Sequence, residues 1–136
     1  MRPIMIDTNA YAAFMRGDEL IAEVFAYAEK LYLSSIVLGE LLSGFRLGRQ
    51  ERKNRDELSR FLQSPRVNVP AMGINTANYY ALIYGNLRRK GKPISTNDLW
   101  ISAIALEQGA ALLTLDSHFA AVDGLQCGQQ IEDFLP

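Results

Sequence analysis

Short apolar runs alternate with longer stretches of helical periodicity along most of the chain, and this alternation restricts the fold more than any other feature. Residues 4–7, 31–35 ("LYLSS"), 67–72 ("VNVPAM") and 111–116 ("ALLTLD") read as strands, with a weaker fifth near 125–128. Between them lie helical patterns. In "DELIAEVFAYAEKL", Leu20, Ile21, Val24, Ala28 and Leu31 mark one face, and Asp18 is placed to cap the helix. Residues 36–47 and 51–63 predict two more helices, the second charged, with Leu58, Phe61 and Leu62 as its buried edge. Another runs from Thr76 to Arg89 and ends at Gly91 and Pro93, and "TNDLWISAIALEQG" is apolar nearly all round, as a helix packed on both sides must be. Strand–helix alternation calls for crossover connections and a parallel sheet with helices on both faces, an α/β domain. With 136 residues, 49% of them hydrophobic, one domain spanning 1–136 accommodates the whole pattern.

Cys127 is the single cysteine and His118 the single histidine, so an intramolecular disulfide is excluded and any metal has to be held by oxygen. No apolar stretch is long enough to span a bilayer, and the expectation is a soluble, cytoplasmic protein without membrane partners. The net charge of −1 hides an uneven distribution, because ten of the fourteen Lys and Arg residues fall in two stretches. Arg46, Arg49, Arg52, Lys53, Arg55 and Arg60 share theirs with Glu51, Asp56 and Glu57, which is also the composition of a solvated helix face. Arg88, Arg89, Lys90 and Lys92 have no acids beside them; they either complement a helix C-terminus or contact a polyanion bound near Asp98. Phosphate-binding motifs of the G-x-x-x-x-G-K-[ST] and G-x-G-x-x-G types are absent, and His118, lacking a Ser or Cys nucleophile arrangement, reads as a loop residue.

Four acids stand in apolar company: Asp7 after "IMI", Glu40 in "VLGELL", Asp98 in "NDLWISAIAL" and Asp116 ending "LLTLD". Each has a plain structural explanation when taken alone. Asp98 would close a capping box with Ser95, Asp116 would cap a turn, and Glu40 would be helix filler on the side of Ile36, Val37 and Leu47. Asp7 is the hardest to explain in this way, because an unpaired carboxylate at the end of a buried strand is costly. Parallel sheets bind ligands beyond the carboxyl ends of their strands, where Asp7 and Asp116 both lie. Two unit charges about 4 Å apart repel by ~4 kcal/mol at an effective dielectric of 20, so four converging acids need a cation. Mg²⁺ or Mn²⁺ suits an all-oxygen set.

With "IDTNAY", "SSIVLGELLSGFRLG" and "GKPISTNDLWISAIALEQGAALLTLDSHF", the chain resembles the PIN domains, and among them the VapC toxins of type II toxin–antitoxin pairs. The resemblance implies a three-layer fold with sheet order 3-2-1-4-5 and an acidic pocket for Mg²⁺ or Mn²⁺. Asp7, Glu40, Asp98 and Asp116 match the family's catalytic and metal-binding acids, and Asn9 matches the asparagine that braces the first aspartate. Ser117 offers a supporting hydroxyl nearby. The implied activity is hydrolysis of an RNA phosphodiester, leaving a 5′-phosphate and a 3′-hydroxyl. A VapB-like antitoxin and a second copy of the chain, forming a homodimer, are the implied protein partners. A PIN nuclease of RNA maturation or of DNA, and a non-catalytic PIN module, are the alternatives.

Overall fold

A computed structural model describes residues 2–136. Its elements are β1 (Ile4–Ile6), α1 (Thr8–Met15), α2 (Glu19–Tyr27), β2 (Leu31–Tyr32), α3 (Ser35–Leu47), α4 (Glu51–Leu62), β3 (Val67–Asn68), α5 (Ile74–Lys90), α6 (Thr96–Glu107), β4 (Ala111–Leu113) and β5 (Cys127–Gly128). The five strands form one sheet in the order β3-β2-β1-β4-β5. All four pairings are parallel, with Ile4 opposite both Leu31 and Ala111. Crossovers from β1 to β2 to β3 step one way along the sheet, and the next connection steps back past β1 to β4. Right-handed crossovers therefore set α1–α4 and α5–α6 on opposite faces. The order reverses between β1 and β4, so the crevice at their carboxyl ends is where such a sheet accepts a ligand.

The strands are shorter than the apolar runs predict: residues such as Leu33 and Thr114 stay buried beyond the ends of the ladder. Helix α1 was not anticipated from the periodicity. It is a short helix buried at Ala10, Tyr11 and Ala13, and Gly17, at φ 85°, separates it from α2. Asp18 does cap α2, its carboxylate accepting from the Ile21 N–H at 3.1 Å. The helix stops at Tyr27, however, so Leu31 belongs to β2, and Leu20 is 52% exposed rather than part of the buried face.

Two apolar clusters account for the all-round apolar character of α6. Ile101, Ile104 and Ala105 join the main core beneath β1 and β4, while Leu99 and Ala103 pack with Ile83 and Leu87 of α5. The helix is thus clamped between sheet and α5, which fixes its first turn over the crevice. On α3 the apolar side is incomplete: Val37 and Leu41 are buried, but Leu47 is 90% exposed, contrary to the expectation that it shares a buried face with Glu40.

Candidate metal centre

Asp7 leaves β1 as the N-cap of α1 and is only 5% exposed. Both of its oxygens are held. Oδ1 accepts from the Thr8 N–H at 2.8 Å, and Oδ2 accepts from the Thr114 hydroxyl at 2.6 Å. The same Thr114 oxygen accepts from the Asp116 N–H at 3.0 Å, so one hydroxyl just past β4 ties the two strand-end acids together. Asn9, expected to brace Asp7, bonds the chain beyond β4. Its Oδ1 accepts from the Leu115 N–H at 3.0 Å and pins the loop that carries Asp116.

Glu40 projects from α3 between two other helices. One oxygen accepts from the Thr8 hydroxyl and the other from the Asn97 side-chain amide at 3.1 Å. Asp98 lies in the first turn of α6, where the positive end of the helix favours a carboxylate, and its N–H donates to the capping hydroxyl of Ser95 at 3.2 Å. Asp116 caps the following 3₁₀ turn: its Oδ1 accepts from the His118 N–H at 2.8 Å and lies 2.9 Å from His118 Nδ1. Ser117 is exposed at the start of that turn.

The electrostatics record how near these groups are to one another. Burial raises the Asp7 carboxyl above its ordinary range; the Thr114 and Thr8 hydrogen bonds oppose this, and the charges of Asp98 and Glu40 add to it. Asp98 is also raised, first by burial and then by Asp116 and Glu40, against the pull of Ser95 and His118. Among the described residues no Lys or Arg is ion-paired with any of the four acids, and the only ion-pair partner any of them has is His118, on Asp116. Cys127 supplies no thiolate, since burial and the neighbouring Asp7 push its thiol up to about 11.

No three His, Cys, Asp or Glu side chains among the described residues are drawn close enough to hold a metal ion in their present orientations. The reason lies in the hydrogen bonds: Asp7 and Glu40 turn their oxygens toward Thr8, Thr114 and Asn97. The chemistry of the donor set still suits a hard divalent cation. It consists of carboxylates, two of which, Asp7 and Asp98, are raised by burial and by their acidic neighbours, with no Lys or Arg among the described residues paired to any of the four.

The four acids picked out in the sequence lie within electrostatic reach of one another in pairs, Asp98 and Glu40 acting on Asp7, and Asp116 and Glu40 on Asp98, while Ser117 is exposed. Thr8, Asn97 and Thr114 were missed, although each lies within two residues of a chosen acid, in "DTN", "TND" and "TLD". His118, read as a loop residue, makes a direct contact with Asp116. Of the cations predicted to contact a polyanion, Lys90 is tied to Ala121 O and Asp123, and Arg89 to Asn86.

Comparison with known proteins finds a match to the PIN domain over residues 4–125. Ribonuclease VapC1 of Rickettsia felis is 32% identical over 126 residues, which cover 90% of this chain and 92% of that protein. Among solved structures, VapBC2 from Rickettsia felis, bound to a DNA fragment from its promoter, superimposes with a TM-score of 0.81 at 27% identity, covering 93% of this chain and 97% of that one. DNA-bound VapBC from Salmonella typhimurium gives a TM-score of 0.83 at 26% identity, with coverages of 94% and 98%.

Proposed function

The chain belongs to the PIN domain family, and from that premise we propose that it is a divalent-metal-dependent endoribonuclease, the toxic member of a toxin–antitoxin pair. The observation that carries this reading is the set of four carboxylates around the β1/β4 switch point, none of which has a Lys or Arg partner among the described residues. Its relatives bear the name ribonuclease, and its structural neighbours are toxin–antitoxin complexes. A VapB-like antitoxin is accordingly the partner that would silence it. No helix among the described residues is long and apolar enough to cross a membrane, and the cytoplasm, where RNA and antitoxin are made, is the proposed place of action.

Asp7 and Asp98 would hold the principal Mg²⁺ or Mn²⁺, with Glu40 and Asp116 completing its surroundings. Such an ion, when bound, makes a water more acidic and neutralises charge on the phosphate. The chain's own groups prepare that site. Thr8 and Thr114 fix the orientation of Asp7, Asn97 and Thr8 that of Glu40, and His118 that of Asp116. Burial of Asp7 keeps bulk water from screening its charge.

The test is RNA cleavage by purified protein with Mg²⁺, with Mn²⁺ and with chelator. Cleavage should need the ion and fall to background in Asp7→Asn and in Asp98→Asn, both of which should remain folded, while Asp116→Asn should retain more. Equal cleavage by Asp7→Asn and wild type, each freed of contaminating nuclease, would refute the assignment.

A further inference from the structure

The structure places the two basic stretches of the sequence differently. In the 88–92 stretch Lys90 is committed to the fold, whereas Arg88 and Arg89 are held by residues of their own helix. Lys90 Nζ donates to Ala121 O at 2.9 Å and pairs with Asp123, Arg89 bonds Asn86, and Arg88 lies over the Tyr84 ring with its guanidinium carbon 5.7 Å from the centroid. The 46–60 stretch is not so committed. Among the described residues, only Arg55 of its six cations has an acidic partner, Glu51, and that at 4.0 Å. Glu57, one of its three acids, faces the other way. Tyr11 in α1, raised first by burial, is raised further by Glu57, which lines a cavity with Tyr11 and Asn54.

The outer side of α4 consequently carries an excess of free positive charge. Arg46, Arg52 and Arg55 line one depression of about 450 Å³ with Glu51 and Asp56. Arg49, Arg52, Lys53 and Arg60 line an adjoining one of about 600 Å³. The two share Arg52 and Asp56, and neither has an apolar residue in its lining. Arg46 is six residues beyond Glu40 on α3, about 9 Å along the helix axis, and α4, about 18 Å long, packs against α3, its Asn54 and Glu57 lining a cavity beside Leu41 and Phe45.

We propose that this face, from Arg46 along α4 to Arg60, is a docking track for the phosphate backbone of RNA on one side of the cleavage site. The proposal rests on the ribonuclease reading. A cluster of four acids repels a polyanion, so positive charge beside it has to hold the chain in place. Guanidinium forks pair with phosphate oxygens in two-point fashion, and five of these six cations are Arg. A surface of exposed Arg and Lys suits a strand recognised by regularly repeated charge and not by base.

The test uses Asp7→Asn in every protein to prevent cleavage, and two single-stranded RNAs of unrelated sequence across a salt series. Replacing Arg49, Arg52, Lys53 and Arg60 together by Gln should weaken both RNAs alike. The slope of log affinity against log salt should flatten by about 0.7 per lost contact. The charge-preserving set Arg49→Lys, Arg52→Lys and Arg60→Lys should keep most of the slope. An unchanged slope in a Gln variant that is folded by circular dichroism overturns the proposal. So does a Gln variant that binds RNA normally but loses the antitoxin, which would make the face a protein interface. If the track behaves as proposed yet wild type cleaves no RNA with either metal, the reading of the acids fails and the track stands.

Discussion

Asp7 is held between burial, helped by the charges of Asp98 and Glu40, which disfavours its charge, and two hydrogen bonds that favour it, and the net effect is a raised pKa. An acid with a folded-state pKa above its unfolded value costs the folded protein stability once it ionises. That cost is absent below the unfolded value and complete above the folded one. In chelator, therefore, Asp7→Asn should melt higher than wild type at pH 7, and the gap should shrink as the pH falls toward about 4. Parallel melting curves across that range check the sign; a gap that widens on acidification would contradict it. Thr114 serves two acids with one hydroxyl. Thr114→Val keeps the shape and removes both bonds, so it should lower stability by about 1–3 kcal/mol in denaturant titration. It should also weaken Mn²⁺ binding measured by calorimetry.

Among the elements, α5 and α6 show how local rules and packing divide the work. Gly91 closes α5 at φ 67° in the left-handed region, and a Cβ added there would meet nothing within 4 Å. Gly91→Ala should then cost about 1–2 kcal/mol through backbone strain alone, with Gly91→Asn recovering part of it. Chemical denaturation of the two variants measures this. Ser95 begins α6 and accepts from the N–H of Asp98. Ser95→Ala should cost about 1 kcal/mol and loosen the turn that carries Asp98. Both helices were legible in sequence, α5 through Gly91 and Pro93 and α6 through its apolar girth. Helix α1 was not, because residues 8–15 are too few and too apolar for a polar face to mark the period.

For the whole molecule the decisive quantity is the linkage between ion and fold. A divalent ion bound only by the native state adds about 2.7 kcal/mol at a concentration 100 times its dissociation constant. Mg²⁺ or Mn²⁺ should therefore raise the melting temperature of wild type, and do so much less for the double variant Asp7→Asn, Asp98→Asn, which lacks the two principal acids. An equal rise in both proteins would mean that the ion binds elsewhere.

The alternation of strand and helix, the parallel sheet and the four anomalous acids are all readable along the chain, because periodicity and the company a residue keeps are local properties. The PIN resemblance carried the strand order as well. What tertiary structure alone decided is the set of donors around those acids: Thr8 meets Glu40 across 32 residues, Asn97 meets Glu40 across 57, and Thr114 meets Asp7 across 107. It also decided which cations are free, since Lys90 is taken up by Asp123 through a contact 33 residues away that no charge pattern announces. Composition states which groups a chain possesses. Whether each one is buried, paired or left facing solvent depends on contacts between distant segments, and those exist only once the sheet has closed and the helices have packed upon it.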